Sequence, residues 1–249
     1  MSEFNRNSMC LWWPAVKDLP IPMPETVMLE EPREGLLEDF FGAICDRNEE
    51  AQKALLPEWE PYEERVHAEA DKLGFPLFWR TDILSGKHRW KHTCYLPRRE
   101  SIRENIFSLL EEHYIGFGIP DPRALVLREF LKLESSFRAF DEMPVSRERR
   151  YFVRDGRVVC RHAYWPEEAI RSPNHDDWRE RLEYLNQEDA AEFEILMGHA
   201  RLVSKEVEGY WSVDFALKEY GKWHLIDMAG GEDSWHPEDC PHAPKRRSG

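Results

Sequence analysis

Apolar residues recur every three to four positions in three stretches of the chain, and this spacing predicts amphipathic helices. The stretches are residues 34–56, 61–73 and 99–114. Gly74 and Pro76 follow the second stretch, and these residue types commonly mark the end of a helix. One or two further helices are expected between about residues 176 and 206.

Short apolar runs bounded by turn residues predict strands at residues 76–81 and 124–131. Two hairpins are expected at residues 148–164 and 211–229. The proline-rich segment 11–31 is expected to be extended or looped, because proline lacks the N–H group that a helix interior uses. Hairpins require antiparallel pairing, and their mixture with helices predicts an α+β fold, with a mixed α/β fold as the alternative.

The first hairpin turns at Asp155-Gly156, a two-residue sequence that strongly favours a tight hairpin turn. This turn predicts that Arg154 lies opposite Arg157 and that Arg150 lies opposite Arg161. Like charges directly opposite each other are destabilising unless something lies between them, so Arg150 and Arg161 predict an anion site. The alternative is that both guanidinium groups lie in water or pair with carboxylates.

Two further carboxylate features accompany these hairpins. Glu148 lies two residues before Arg150, so it is expected on the same face, placed to accept hydrogen bonds from hydroxyl groups of the anion's carrier. In the second hairpin, a turn centred between Tyr220 and Gly221 puts Asp214 opposite Asp227. Paired carboxylates share a proton or a cation, and Mg²⁺ is the cation we expect; the alternative is that both aspartates are simply solvated. A register shifted by one residue would instead leave Asp227 on the other face.

A polar loop follows the strand at residues 76–81 and carries Arg80, Gly86, Lys87 and Lys91. Glycine between cationic side chains is able to cover a polyphosphate, although an ordinary basic loop has the same composition. The GxxxxGK[ST] string of a Walker motif does not occur.

The charge balance narrows the classes of partner. The chain has 34 Lys and Arg against 48 Asp and Glu, a formal net charge of −14, which repels nucleic acid and anionic membranes at long range. The sequence shows neither an apolar run of about 18 residues nor a signal-peptide pattern, which predicts a cytoplasmic protein.

The five cysteines are scattered singly, which predicts reduced thiols rather than a disulfide framework. His236, Cys240 and His242 are residue types that bind metals. Their irregular spacing in a proline-rich tail nevertheless disfavours a metal site.

The ordered set of basic loop, strand, Glu-x-Arg hairpin and paired aspartates resembles the ATP-grasp superfamily over roughly residues 75–235. The stretches 128–130 and 148–156 are most similar to the branch of the cell-division-cycle translation-factor assembly proteins and its phage and bacterial relatives. This resemblance implies two α+β lobes that grip ATP beside a short N-terminal segment. The implied ranges are an N-terminal segment at 1–74, a central lobe at 75–123, a C-terminal lobe at 124–236 and a flexible tail at 237–249.

The resemblance also implies roles for individual residues. The phosphates would be contacted by Arg80, Lys87, Lys91 and Arg150. The adenine would be contacted by Glu129, Phe130 and Leu131, and the ribose by Glu148. The Mg²⁺ would be held by Asp214 and Asp227. The family's third metal ligand is usually an Asn two residues after the second carboxylate. Ala229 stands there in this chain, with Glu232 or Asp233 as candidate replacements.

The function implied is an ATP- and Mg²⁺-dependent ligase that joins a carboxylate to an amine through an acylphosphate. In that reaction Arg150 and Arg161 are the expected catalytic residues, with Arg161 as an anchor for the carboxylate substrate. The alternatives are an ATP-binding assembly factor for a protein partner with little or no turnover, and an ATP-dependent phosphotransferase.

Overall fold

The computed structural model describes residues 5–116 and 118–244, and it divides the chain into two compact units. The amino-terminal unit comprises residues 24–131 and 140–143. The carboxy-terminal unit comprises the residues up to 23, residues 132–139 and the residues from 144 onward.

The amino-terminal unit is a four-stranded antiparallel sheet covered by helices. Its elements are β1 (Thr26–Glu30), α2 (Leu36–Cys45), α3 (Glu49–Leu73), β2 (Leu77–Thr81), β3 (Tyr95–Leu96), α4 (Ile102–Ile115) and β4 (Ala124–Glu129), after α1 (Met9–Val16) of the other unit. The strand order is β1-β4-β2-β3. Side chains from all three helices and from the strands meet in one apolar core that includes Leu36, Trp59 and Leu109.

The predicted helix at 34–56 is wrong as a single element, because the chain breaks between α2 and α3. Arg47 has a positive φ of 52°, and the Asn48 side chain caps α3 by accepting a hydrogen bond from the N–H of Ala51. The predicted helix at 61–73 is the second half of α3, which contains two internal prolines. The expected end is confirmed, since Gly74 is the C-cap with φ of 80°.

The carboxy-terminal unit is built around a second four-stranded antiparallel sheet. Its later elements are β5 (Ser135–Ala139), β6 (Met143–Ser146), β7 (Glu148–Arg154), β8 (Arg157–Ala163), α5 (Trp178–Asn186), α6 (Ala190–Glu206), β9 (Tyr210–Leu217) and β10 (Trp223–Gly230). The sheet order is β10-β9-β7-β8, and β5 pairs with β6 in a separate hairpin. Helix α6 packs on β7 and β8, and α1 packs on α6.

The expectation that residues 11–31 contain no helix is wrong for their first part. Helix α1 begins at Met9 despite Pro14, because the Ser8 side chain accepts a hydrogen bond from the N–H of Cys10 and caps the helix. Met9, Trp12 and Val16 are buried, so tertiary packing stabilises a helix that the prolines disfavour.

The two units differ from the ranges implied by the family resemblance. Strand β4 begins at residue 124, yet it pairs with β1 and β2 of the amino-terminal unit. The family resemblance implied that residues 1–74 form a segment beside the lobes. Instead, the amino-terminal unit takes part of its sheet and core from this range, namely from β1, α2 and α3. Strand pairing joins residues far apart in sequence, which local patterns do not reveal.

Both predicted hairpins form, and each contains a β-bulge. In the first, Arg154 pairs with Arg157 as predicted, but the register shifts between Phe152 and Val153, so Arg150 pairs with His162. The predicted pairing of Arg150 with Arg161 is therefore wrong.

In the second hairpin, Phe215 pairs with Leu225, and the register then shifts at Ile226. This bulge brings Asp214 opposite Asp227, so the predicted carboxylate pair is confirmed.

None of the helices in the described parts of the chain is long and apolar enough to cross a membrane.

Candidate functional site

Strands β7, β9 and β10 place four charged side chains on one face of the second sheet. The two strands pair without interruption, with Arg150 opposite Asp214 and Glu148 opposite Ala216. Because side chains alternate along a strand, Glu148, Arg150 and Asp214 share a face, and Asp227 joins them as the partner of Asp214 on β10. These four residues are called the charged face below.

Arg150 and Asp214 form a bidentate ion pair at the centre of the charged face. The Arg150 Nε donates to Asp214 Oδ1 at 2.7 Å, and Nη2 donates to Oδ2 at 2.8 Å. The Arg150 side chain is 14% exposed and the Asp214 side chain 6% exposed. The guanidinium carbon also lies 4.6 Å from the centre of the Tyr164 ring. Arg150 is thus held by two partners within this one unit.

Asp227 adds a second negative charge beside this pair. Its Oδ1 accepts a hydrogen bond from the N–H of Met228 at 3.0 Å. Burial acts to lower the pKa of Arg150, but the carboxylates of Asp214 and Asp227 act in the opposite direction and leave the pKa raised. Arg150 therefore remains charged, with two carboxylates around it.

Glu148 lies at the start of β7 and is 4% exposed. Its Oε1 accepts hydrogen bonds from the Ser146 hydroxyl at 2.6 Å and from the Trp165 Nε1 at 3.1 Å. These contacts fix the carboxylate on the charged face.

Arg161 lies on the opposite face, where it contacts residues around α6. Its Nε donates to Glu188 Oε2 at 2.7 Å, and its guanidinium carbon lies 4.4 Å from the centre of the Phe193 ring. The predicted anion site between Arg150 and Arg161 is wrong, because the bulge in β8 turns the two side chains to different faces.

Ala229, at the position of the usual third metal ligand, pairs with Ser212. The two proposed replacements have other contacts. Glu232 accepts from Arg6 at 3.3 Å, and Asp233 accepts from Asn7 at 3.0 Å. Both acidic side chains therefore hold the chain that precedes α1.

In the amino-terminal unit, Arg80 lies on β2 and is 3% exposed. Its Nε donates to the carbonyl of Thr81 and its Nη2 to the carbonyl of Ile83, both at 3.0 Å. The guanidinium is thereby fixed against the start of the polar loop.

The polar loop itself is closed by short contacts. Gly86 has a positive φ of 61°, and the Thr93 hydroxyl donates to its carbonyl at 2.5 Å. Lys87 follows at the first position of a single 3₁₀ turn, and Lys91 is exposed. The two lysines therefore lie on the same loop as expected.

The sequence reasoning missed an aromatic cluster next to the expected adenine contacts. Phe130 lies directly after β4, and its ring centre is 5.2 Å from that of Tyr95 and 6.2 Å from that of Trp90. Trp90 also stacks on Tyr95 at 5.8 Å. All three residues are partly exposed. The sequence signal for this cluster was Trp90, an aromatic residue within the polar loop.

Solved structures with this fold include two of one yeast protein. The C-terminally truncated Cdc123 from Schizosaccharomyces pombe matches with a TM-score of 0.55 and 12% identity, over 90% of this chain and 83% of that one. A second structure of Cdc123 from the same organism matches with a TM-score of 0.53 and 11% identity, over 92% of this chain and 87% of that one. At these identities the similarity concerns the fold.

The D-alanine–D-alanine ligase from Bacillus anthracis complexed with ATP matches with a TM-score of 0.47 and 12% identity, over 91% of this chain and 54% of that one. No curated protein matches the chain significantly.

The two antiparallel sheets with their helices define an ATP-grasp fold of the α+β class, as the sequence predicted. The chain belongs to family 3 of the R-2-K clade of ATP-grasp domains, whose model matches residues 38–247. The resemblance to the ATP-grasp superfamily is thereby confirmed.

Proposed function

We propose that the chain is an ATP- and Mg²⁺-dependent ligase that joins a carboxylate to an amine. The observation that carries this proposal is the register of β9 and β10, which sets Asp214 opposite Asp227 with Arg150 beside them. Facing carboxylates suit a divalent cation, and a guanidinium suits phosphate oxygens. Membership of the ATP-grasp family supports ATP as the nucleotide.

The donor set of the charged face fits Mg²⁺. Asp214 and Asp227 would hold the ion, which usually binds one or two carboxylates and completes its shell with waters and substrate phosphates. Each oxygen of Asp214 accepts one hydrogen bond from Arg150, and a carboxylate oxygen has two lone pairs, so a metal ligand remains on each. When bound, Mg²⁺ offsets negative charge on the triphosphate.

The remaining assignments concern the nucleotide. In this proposal Arg150 binds a phosphate, Glu148 binds the ribose hydroxyls, and Lys87 and Lys91 cover the phosphates. Arg80 supplies a positive charge fixed by the backbone carbonyls around it.

The adenine would contact Glu129, Phe130 and Leu131, mainly through backbone groups. The partly exposed rings of Trp90, Tyr95 and Phe130 offer an apolar surface for it.

The proposed reaction has two steps. A carboxylate oxygen of the substrate bonds to the γ-phosphorus of ATP while the bond from that phosphorus to the β–γ bridging oxygen breaks, which gives an acylphosphate and ADP. The amine nitrogen then bonds to the acyl carbon, the carbon–oxygen bond to phosphate breaks, and the amine loses a proton. Positive charge on Arg150 stabilises the transferring phosphoryl group.

A second candidate is an ATP-binding protein with little or no turnover. Ala229 supports this candidate, because its side chain carries no ligand atom and because Glu232 and Asp233 are held by Arg6 and Asn7. A site with two carboxylates suffices to bind one Mg²⁺ but leaves a second ion with fewer ligands.

Calorimetric titration with Mg·ATP tests the shared part of both candidates. We expect Asp214→Asn and Asp227→Asn each to weaken Mg·ATP binding by at least about tenfold, roughly 1.4 kcal/mol. Asp176→Asn, an exposed position in the same unit, serves as the control and should bind as the wild type does. Equal affinity with and without chelator in the wild-type protein would reject the metal assignment.

Turnover separates the two candidates. Incubation with Mg·ATP, hydroxylamine and a panel of small carboxylates should release ADP and form a hydroxamate if an acylphosphate is made. Tight ATP binding without ADP release under every condition would support the binding protein instead. ADP release with phosphate transferred to a hydroxyl-bearing acceptor would indicate the phosphotransferase.

A further inference from the structure

Four side chains beside β8, the edge strand of the second sheet, bring metal-ligand residue types together. Cys160, His162, His236 and Cys240 each offer one ligand atom, and these atoms all lie within 4.8 Å of one another. They are called the Cys/His cluster below. The cluster contains neither of the carboxylates assigned to Mg²⁺, and its ligand types are different.

The β8 strand supplies half of the cluster. Cys160 and His162 are two residues apart, so both point to the face that Phe152 and Arg150, their partners on β7, also occupy. The bulge that moved Arg161 to the other face is what puts these two side chains here.

The segment after β10 supplies the other half. The His236 ring stacks on Phe152 with 3.7 Å between ring centres, which fixes it over the sheet. Cys240 follows and is 9% exposed. The sequence predicted a flexible tail at 237–249, but residues up to 244 are placed against the unit, and residues 245–249 lie outside the described part of the chain.

Hydrogen bonds orient His236 as they orient a metal ligand. Its Nε2 lies 2.9 Å from the Tyr210 hydroxyl, and that hydroxyl donates to the carbonyl of His242 at 3.3 Å. In this chain of bonds Nε2 is the donor, so the lone pair of His236 is on Nδ1, which lies 3.9 Å from the sulfur of Cys160. A ligating histidine usually donates its second ring N–H in this way.

His162 carries an independent signal. Its Nε2 is buried and has no hydrogen-bond partner among the residues that the structure describes. A buried polar atom without a partner costs about 1–3 kcal/mol, so native proteins seldom keep one. A metal ion bound at this nitrogen would remove the cost.

We propose that Cys160, His162, His236 and Cys240 bind one structural Zn²⁺ ion. Two thiolates and two imidazoles are a common closed ligand set for zinc, and tetrahedral bonds of about 2.0–2.3 Å would separate the ligand atoms by about 3.3–3.8 Å. The observed separations are at most 4.8 Å, and that between Cys160 Sγ and His236 Nδ1 is 3.9 Å, so side-chain rotation suffices to bring the four atoms to these distances. His162 and Pro237 also line a cavity of about 500 Å³.

The ion would join two parts of the chain that are distant in sequence. It ties the segment that carries His236 and Cys240 to β8, on the sheet that also carries the charged face. His242 is excluded from the ligand set, although its sequence neighbours suggested it, because its carbonyl accepts from Tyr210 and its ring is not in the cluster.

Metal analysis of the full chain tests the proposal. The protein is purified without a tag and without chelator, and its zinc content is measured by inductively coupled plasma mass spectrometry. We expect about one zinc per chain in the wild type and less than about a tenth of that in Cys160→Ser and Cys240→Ser, because each loses a thiolate ligand. Cys45→Ser, an exposed cysteine, and His242→Asn, a neighbour in the same segment, should retain the metal.

A second measurement keeps the test valid if a variant folds poorly. Wild-type protein stripped of metal is titrated with Co²⁺, and a tetrahedral site with two thiolates should give the charge-transfer and visible bands of such cobalt complexes. Stripped wild type that binds neither Co²⁺ nor Zn²⁺ added in the same way overturns the proposal. So does equal zinc loss in Cys45→Ser, or a Cys160–Cys240 disulfide in the protein purified under reducing conditions.

Discussion

Arg150 and Asp214 show how a single residue pair sets the chemistry of the charged face. Two short hydrogen bonds join them on adjacent strands, and both side chains are largely buried. The desolvation of each charge is offset by the other, so removing one partner leaves an uncompensated charge.

Arg150→Met and Asp214→Asn are each expected to lower the free energy of unfolding, by about 3–5 kcal/mol for the loss of a buried partner. The double variant should lose less than the sum of the two, because it leaves no buried charge alone. Urea unfolding of the four proteins measures this coupling. Additive losses would show that the two side chains do not depend on each other.

Gly231 illustrates a steric requirement at the same scale. A Cβ built at this position would lie 2.5 Å from the Tyr210 ring, so no larger residue fits without moving the ring.

Gly231→Ala is therefore expected to destabilise the protein by about 1–3 kcal/mol. Gly198→Ala is the matched control, because Gly198 lies within α6 and its Cβ would meet nothing within 4 Å. Alanine there should stabilise the protein by about 0.5–1 kcal/mol. Thermal unfolding distinguishes the two directions, and an equal effect of both substitutions would contradict the steric argument.

At the scale of elements, the bulge in the first hairpin decides which side chains belong together. It shifts the partner of Arg150 from Arg161 to His162 and leaves Arg161 in an ion pair with Glu188 that is partly exposed.

Arg161→Ala is accordingly expected to leave Mg·ATP affinity within about threefold of wild type, and to change stability by no more than about 1 kcal/mol, as for other exposed ion pairs. Calorimetry on the variant checks this. A tenfold loss of affinity would restore Arg161 to the site.

Helix α4 is joined to β2 by a buried histidine. The Thr81 hydroxyl lies 3.1 Å from His113 Nδ1, and Nε2 lies 2.8 Å from the carbonyl of Pro120. A neutral imidazole satisfies both contacts, since it has one donor and one acceptor nitrogen. Burial lowers the pKa of His113 below its ordinary value of 6.5, against the opposite effect of the Pro120 carbonyl.

This lowered pKa predicts that His113 makes stability depend on pH. As pH falls below about 6.5, the unfolded chain binds a proton that the folded chain resists, so the stabilisation present at higher pH is lost. His113→Gln should show a smaller loss of unfolding free energy between about pH 7.5 and pH 5.5. His175→Gln, at an exposed position, should keep the wild-type dependence, and an unchanged dependence in His113→Gln would contradict the assignment.

At the scale of the whole molecule, a ligand that binds only the folded chain raises its melting temperature. Mg·ATP at about 100 times its dissociation constant adds about 2.7 kcal/mol. For a chain of 249 residues this corresponds to a rise of about 5–10 °C.

We therefore expect the melting temperature to rise by about 5–10 °C with Mg·ATP, to rise less with ATP and chelator, and to stay unchanged with Mg²⁺ alone. Asp214→Asn should lose the part of the shift that depends on Mg²⁺. Differential scanning fluorimetry measures the three conditions for both proteins, and shifts of equal size with and without chelator in the wild type would contradict the role of the two aspartates.

The sequence alone determined the class of fold and most of the elements, because periodicity and turn residues are local properties. Asp155-Gly156 fixed a hairpin, and Gly74 fixed the end of a helix, without reference to the rest of the chain. The Asp214–Asp227 pair was also accessible, although a bulge at Ile226 is what completes it.

Only the tertiary structure decided what depends on long-range packing. It paired β4 with β1 and β2, turned Arg161 away from Arg150, and gave Asp214 an arginine as its partner. It also brought Cys160 to within reach of His236, 76 residues further along the chain. A bulge adds one residue and reverses every side chain beyond it, and composition carries no mark of where that residue falls.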